Sequence, residues 1–161
     1  MNTSATGSGP QLGEAAPDFD LASHPTGRVR LADFHGKSNV ILAFYPKDDT
    51  PGCTREMCDF SADLDQFAGL GTAVFGVSFD DTNSHADFAE KYNLQIPLLA
   101  DVGGKVASAY GATRPGADYA DRVLFVIDKQ GIVRHIHHGM PTNLTLLQAL
   151  EGLQNYCIQP F

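Results

Sequence analysis

Cys53 is the residue of this sequence best placed to do chemistry. It follows Pro51-Gly52 and stands at the first turn of a helix predicted from about Thr54 to Ala68. Unpaired backbone N–H groups and the positive end of the helix dipole favour an anion at such a position. They therefore favour the thiolate, which is the nucleophilic form of cysteine. The alternative is that Cys53 is a small buried apolar residue, the commoner fate of a free cysteine.

A stabilised thiolate would not by itself make an enzyme. A roughly 30-fold higher thiolate fraction at neutral pH is worth about 2 kcal/mol, whereas enzymes typically supply about 8 kcal/mol or more. The site must also hold hydrogen-bond donors that point at the charge developing in the reaction. The loop before the helix offers the Thr50 hydroxyl and backbone N–H groups, and an arginine from elsewhere would complete the set.

The elements that position Cys53 follow from the apolar pattern. Continuous apolar runs predict buried strands at 39–45, 72–79 and 123–127, and the last one forms a hairpin with 132–137. Further helices are predicted after Ser84, which would cap the first of them, at 105–110 and at 143–156. This order indicates an α/β domain with three layers, α/β/α, and a central mixed sheet, as in the thioredoxin-like fold. A small flavodoxin-like domain would fit the same order.

Length and composition restrict the class of protein. The 161 residues fit one domain, which we place at 11–161 after a disordered leader at 1–10. The net charge of −8 argues against nucleic acid as a partner, and no apolar run approaches the roughly 18 residues of a membrane span. Three cysteines, an odd number, indicate a reducing compartment such as the cytoplasm.

The segment from Phe44 to Glu56 resembles the active-site segment of peroxiredoxins. The pattern of that family, Pro, three residues, Thr, two residues, Cys, is present at Pro46, Thr50 and Cys53. Similarity continues through 76–78, 92–94, 97–101, 110–111 and 125–128, so that it covers most of the chain from about 13 to 153. Within the family, the sequence is most similar to the peroxiredoxin Q, or bacterioferritin comigratory protein, branch.

The resemblance implies a role for each matched residue. Cys53 would be the peroxidatic cysteine, Thr50 the hydroxyl that donates to the peroxide, and Pro46 the residue that shields the thiolate from water. Arg122 matches the active-site arginine of the family, and Glu56 the carboxylate that orients it. The alternatives are a surface charge at a strand end for Arg122 and an ordinary first-turn carboxylate for Glu56.

The resemblance also implies the reaction and its partners. The protein would be a thiol-dependent peroxidase that reduces hydrogen peroxide and organic hydroperoxides without a cofactor. Cys58, five residues after Cys53, would resolve the sulfenic acid as an intramolecular disulfide, and thioredoxin or a similar dithiol would reduce that disulfide. A monomeric state and a cytoplasmic location are part of the same expectation.

The spacing of Cys53 and Cys58 predicts a conformational change. Residues five apart on an intact helix have Cα atoms roughly 9 Å apart, whereas disulfides need less than about 7 Å. The helix would therefore unwind from Cys53 to about Asp59 in each cycle. The alternatives are a peroxidase with one working cysteine that an external thiol resolves, a thiol–disulfide oxidoreductase, and a redox sensor on the same fold.

Several other reactive side chains have less specific explanations. Cys157 is predicted to be a packing or bystander thiol. His135 and His137 would share one face of a strand, beside His138, and could bind zinc or copper, although an exposed hairpin is the simpler interpretation. The neighbouring acids Asp48 and Asp49 are predicted to be solvated, and no metal or cofactor signature is present.

Overall fold

The computed structural model describes residues 9–25, 27–140 and 142–158, with side chains as far as 153. The strands are β1 (Asp20–His24), β2 (Arg28–Arg30), β3 (Asn39–Phe44), β4 (Thr72–Ser78), β5 (Leu98–Ala100), β6 (Val123–Ile127) and β7 (Val133–His138). The helices are α1 (Pro51–Ala62), α2 (Leu64–Gly69), α3 (Thr82–Tyr92), α4 (Lys105–Ala109) and α5 (Asn143–Ile158), and Leu31–Phe34 forms a 3-10 turn.

The seven described strands form one mixed sheet in the order β2-β1-β5-β4-β3-β6-β7. β3 pairs in parallel with β4, and β4 with β5, whereas β6 runs antiparallel to β3 and to β7. The predicted thioredoxin-like fold is confirmed. The antiparallel β6 excludes the flavodoxin-like alternative, in which the central strands are all parallel.

Both faces of the sheet are covered, which produces three layers. Every residue of β3 is buried, because alternate side chains enter two different apolar clusters. Phe44 packs on one face with Phe125 and Tyr110, the latter just beyond α4. On the other face, α1, α2, α3 and α5 contribute apolar side chains, among them Met57 from α1 and Phe88 from α3.

The long helix predicted after Cys53 differs from the observed one. It begins earlier, at Pro51, and Asp63 divides it into α1 and α2. The early start is favourable because proline at the first helical position has a suitable φ and lacks an N–H group that would be unpaired there. Asn143 ties the far end of α1 to α5, since its Nδ2 donates to the Asp59 carbonyl oxygen and to Asp63 Oδ2, each at 2.9 Å.

Other predicted boundaries need correction. Ser84 does not cap α3, because the Asp81 side chain is the cap and accepts from the Ser84 backbone N–H at 2.9 Å. The hairpin of β1 and β2 and the short strand β5 were not predicted from the sequence. The leader predicted at 1–10 lies mostly outside the described residues, but Pro10 is described and is buried. Within the described ranges, no helix is both long and apolar enough to cross a bilayer.

Candidate active site

Cys53 lies in the first turn of α1, as predicted. Thr50 precedes the helix in an extended conformation, and its carbonyl oxygen accepts from the Thr54 backbone N–H at 2.8 Å. The Cys53 side chain is fully buried in the cluster that contains Tyr45 and Met57. The sulfur atom is therefore held close to the positive end of the helix and away from bulk water, so that its hydrogen-bond donors must come from the protein.

Arg122 provides that donor. It directly precedes β6, and the pairing of Val123 with Phe44 places the start of β6 beside the end of β3. Its Nη2 donates to Cys53 Sγ at 3.3 Å. A Cβ atom on Gly52 would lie 3.1 Å from the same nitrogen, so glycine at this position leaves the guanidinium the room to approach. The structure thus brings Arg122 to Cys53 across 69 residues of sequence.

Glu56 holds the other side of the same guanidinium. Its Oε1 accepts from Arg122 Nη1 at 2.7 Å, and the residue is only 3% exposed. Arg122 therefore lies between the thiol and a buried carboxylate, with its plane fixed by two contacts. Burial raises the pKa of Glu56 from 4.5 to about 7, although the hydrogen bond and charge of Arg122 oppose the change.

Thr50 and Pro46 lie in the loop between β3 and α1. Among the described contacts, neither side chain is hydrogen-bonded to Cys53, Arg122 or Glu56. The Thr50 hydroxyl donates to the Lys47 carbonyl oxygen at 3.0 Å. This bond uses the single hydroxyl proton, so in this conformation Thr50 can accept from a peroxide but does not have the free donor that was predicted. Pro46 is half-buried and follows the fully buried Tyr45. The loop thus carries both residues at the N-terminal end of α1.

Comparison with known proteins agrees with this geometry. Residues 12–136 match the model of the AhpC/TSA family. Peroxiredoxin Bcp of Bacillus subtilis (strain 168) is 41% identical over 127 residues, which cover 75% of this chain and 80% of that protein. This chain belongs to the peroxiredoxins of the AhpC/TSA family. Chloroplastic peroxiredoxin Q of Oryza sativa subsp. japonica is 39% identical over 133 residues. Those residues cover 79% of this chain but 58% of the length of the rice peroxiredoxin.

Solved peroxiredoxin structures have the same fold. The reduced 2-Cys peroxiredoxin of Plasmodium vivax superposes with a TM-score of 0.85 at 25% identity, over 91% of this chain and 84% of its own. Thioredoxin peroxidase I of Plasmodium yoelii gives a TM-score of 0.83 at 27% identity, over 91% and 92%. The similarity extends over nearly the whole domain, so the site and its supporting elements lie within the shared fold.

Cys58 of this peroxiredoxin lies on the same helix as Cys53. Both thiols are free, and Cys58 is half-buried on α1. Burial raises the pKa of the Cys58 thiol, and the nearby Asp59 charge raises it further. Because α1 is continuous from Pro51 to Ala62, the two sulfur atoms cannot join without local unwinding. Cys157 belongs to α5, but its side chain lies outside the described residues.

Two further predictions about titratable residues have different outcomes. Asp48, predicted to be solvated, is buried and is bonded to Tyr45, Ser84 and His85, so that prediction was wrong. His135 and His137 share one face of β7 as predicted, with ring centroids 6.4 Å apart. Among the described residues, however, no group of three or more His, Cys, Asp or Glu side chains could hold a metal ion.

The pKa of Glu56 in this peroxiredoxin predicts a pH-dependent stability. The folded protein binds this proton more tightly than the unfolded chain, because the pKa rises from 4.5 to about 7 on folding. The associated stabilisation is present below the unfolded pKa and is lost as pH rises through the folded one, a change of about 3 kcal/mol. Glu56→Gln does not titrate. Between about pH 4.5 and about pH 8, its free energy of unfolding should therefore rise by that amount relative to the native protein.

Urea denaturation of both proteins at about pH 4.5 and about pH 8 measures this difference. Glu90→Gln, on the exposed face of α3, is the matched control and should run parallel to the native protein. If the free energy of unfolding of Glu56→Gln also changes between the two pH values as that of the native protein does, the prediction is contradicted.

Proposed function

We propose that this peroxiredoxin is a thiol-dependent peroxidase that reduces hydrogen peroxide and organic hydroperoxides. The observation that carries the proposal is the 3.3 Å contact of Arg122 Nη2 with a buried cysteine sulfur in the first turn of a helix. A cysteine that serves only for packing does not need a guanidinium, whose burial costs free energy. Family membership supports the same chemistry.

The first step forms an S–O bond and breaks the O–O bond. The Cys53 thiolate attacks one peroxide oxygen, the other oxygen leaves as an alcohol or water after it takes up a proton, and Cys53 becomes a sulfenic acid. Arg122 would stabilise both the thiolate and the departing oxygen, with Glu56 holding its orientation. We assign to Thr50 a hydrogen bond to the peroxide and to Pro46 the exclusion of water from the thiolate.

The second step would join the two cysteines of α1. The Cys58 thiol attacks the sulfenic sulfur, water leaves, and a Cys53–Cys58 disulfide remains. A dithiol then reduces this bond by exchange. Thioredoxin is the reductant we propose, because the similar Plasmodium yoelii structure is a thioredoxin peroxidase. We also propose that the protein uses no cofactor, is a monomer and is cytoplasmic, although the rice relative is named chloroplastic.

Peroxide consumption compared with insulin reduction tests the proposed function against its closest rival. A peroxidase consumes peroxide with thioredoxin as reductant and reduces insulin poorly. A thiol–disulfide oxidoreductase would show the opposite preference. Such enzymes use cysteines separated by two residues, whereas four separate Cys53 from Cys58. A redox sensor would react with peroxide once and not turn over.

Cys58 as the resolving residue makes a distinct prediction. After one equivalent of peroxide, mass spectrometry should show the loss of two hydrogens and a peptide crosslink between Cys53 and Cys58. Cys58→Ser should still react once with peroxide but stop at the sulfenic acid. A Cys53 sulfenic acid that persists in the native protein would support resolution by an external thiol instead.

Disulfide formation should also change the protection of α1. Because the bond requires local unwinding, we expect faster amide hydrogen exchange from 53 to about 59 in the oxidised protein. Exchange in α3 serves as the internal control, since it should not change. Identical exchange in α1 before and after oxidation would contradict the unwinding.

A further inference from the structure

Asp48 is a buried carboxylate in the loop that carries Pro46 and Thr50. Its Oδ1 accepts from the Tyr45 hydroxyl at 2.6 Å, and its Oδ2 accepts from the Ser84 hydroxyl at 2.7 Å. The same Oδ2 lies 2.8 Å from His85 Nδ1. The side chain is 4% exposed, so these protein groups take the place of water around it. Three protein partners thus lie at hydrogen-bond distance from this carboxyl group.

His85 faces a hydrogen-bond acceptor at each ring nitrogen. Nδ1 lies 2.8 Å from the Asp48 carboxylate, and Nε2 lies 2.9 Å from the carbonyl oxygen of Leu99 in β5. A backbone carbonyl has no proton to give, so Nε2 must carry one. Because two acceptors cannot face each other at 2.8 Å, a second proton must lie between Nδ1 and Asp48 Oδ2. The ring is thus hydrogen-bonded at both nitrogens in an environment with no exposure to solvent.

We propose that His85 is a positioning residue: a doubly protonated ring that fixes Asp48 and, through it, the loop that places Thr50 and Pro46 at Cys53. The proposal rests on the peroxidase function proposed above and deepens it. His85 itself does not touch the reacting sulfur. It acts through a residue two positions before Thr50, on the short connection between β3 and α1.

The surrounding charges are consistent with a paired imidazolium. Asp80 Oδ2 accepts from the backbone N–H of Asp48 at 2.8 Å and from the Ser78 hydroxyl at 2.8 Å, so another carboxylate faces the same loop. The His85 backbone N–H donates to the carbonyl oxygen of Asp81, the residue that caps α3. A neutral ring would leave the Asp48 charge without a cation at this buried position, which is costly.

α3 also holds the next residue of the loop. Asp49 has a positive φ of 59°, and its carboxylate accepts from Lys91 Nζ at 2.9 Å and from the Tyr92 hydroxyl at 2.6 Å. These contacts are exposed, so solvent screens them and each adds little to stability. Two consecutive loop residues are thus bound to one helix, immediately before the α1 segment that must unwind. The loop can keep its position while α1 opens.

Nitrogen-15 NMR of the histidine rings in the native protein tests the charge state directly. At about pH 8 an ordinary imidazole has lost its second proton, so His85 should be the ring that still shows two protonated nitrogens. The spectrum of His85→Gln assigns the signal. A neutral-tautomer pattern for His85 at this pH would overturn the proposal, and this result does not depend on peroxidase activity.

Stopped-flow kinetics test the positioning role. His85→Gln and Asp48→Asn should each lower the rate constant for peroxide, counted per reactive Cys53 thiol, by about tenfold to a hundredfold. Reduction of the disulfide by thioredoxin should be unchanged. His138→Gln, at an exposed position on β7, is the matched control and should retain the native rate. If His85→Gln does not fold, the rate constant of Asp48→Asn still decides.

A double-mutant cycle separates positioning from stability. If His85 acts through the loop, Thr50→Val should lower the rate constant for peroxide by a smaller factor in the His85→Gln background than in the native protein. A lower melting temperature with an unchanged rate per thiol would mean that His85 is only structural. If the native protein is active and both His85→Gln and Asp48→Asn keep its rate constant, this inference is overturned and the peroxidase function stands. If the native protein is inactive, the function itself is overturned.

Discussion

Cys53→Ser is expected to abolish peroxide reduction, with a loss of at least about 10⁴-fold in the rate constant. A serine hydroxyl is not ionised at neutral pH, and its oxygen cannot form the sulfenic acid on which the cycle depends. The surrounding donors would remain, because Arg122 keeps its 2.7 Å bond to Glu56 without the sulfur. The variant therefore removes the nucleophile and little else.

Stopped-flow measurement with one equivalent of peroxide checks this result without a reductant. Cys58→Ser is the matched control: it should reduce that single equivalent at the native rate and then fail to turn over with thioredoxin. Peroxide reduction by Cys53→Ser at more than a few per cent of the native rate would refute the proposed mechanism. Rapid, repeated turnover by the native protein would also exclude a role as a redox sensor alone.

Arg122→Gln is expected to lower the rate constant for peroxide by about 10²- to 10³-fold, the usual cost of removing one donor that stabilises developing charge. The loss has two sources. Cys53 Sγ would lose its 3.3 Å contact with a cation, and the buried Glu56 would lose the cation that favours its charged form, so that it would have to bind a proton. The second effect should also lower the stability of the fold.

Arg122→Lys tests whether the shape of the guanidinium matters. A single ammonium group cannot reach Sγ and Glu56 Oε1 with separate nitrogens, as Arg122 does with Nη2 and Nη1. We expect Lys to recover only part of the rate lost in Arg122→Gln. Arg114→Gln, which removes an exposed ion pair with Asp121, is the matched control and should behave like the native protein. Full activity of Arg122→Lys would show that charge alone is sufficient.

The parts of the fold with strong local patterns could be predicted from the sequence. β3, β4 and β6 are continuous apolar runs because both faces of the sheet are covered. β2 and β5 have three residues each, too few to show a period, and β1 is only partly buried. The break at Asp63 was also missed, since the apolar stripe continues across it from α1 into α2.

The active site divides in the same way between local and distant information. Cys53 could be placed at a helix start because Pro51 and Gly52 precede it directly. That Arg122 reaches Cys53 depends on the register of β6 on β3, which only the resemblance indicated. Asp48 was misjudged because its partners Ser84 and His85 come from another helix. The sequence offered one signal of this contact: His85 stands three residues before Phe88, on the buried face of α3.

The tether from Asn143 to the far end of α1 would restrict how the proposed redox cycle proceeds. It holds Asp59 and Asp63 to α5, so that opening of α1 would stop about where Cys58 is released. The oxidised protein would then present the crosslink and the opened first turns of α1 as a surface that the reduced protein lacks. A reductant that recognises this surface would dissociate as soon as the helix reforms. Reduced peroxidase, even in large excess, would not compete with its oxidised form for the electron donor.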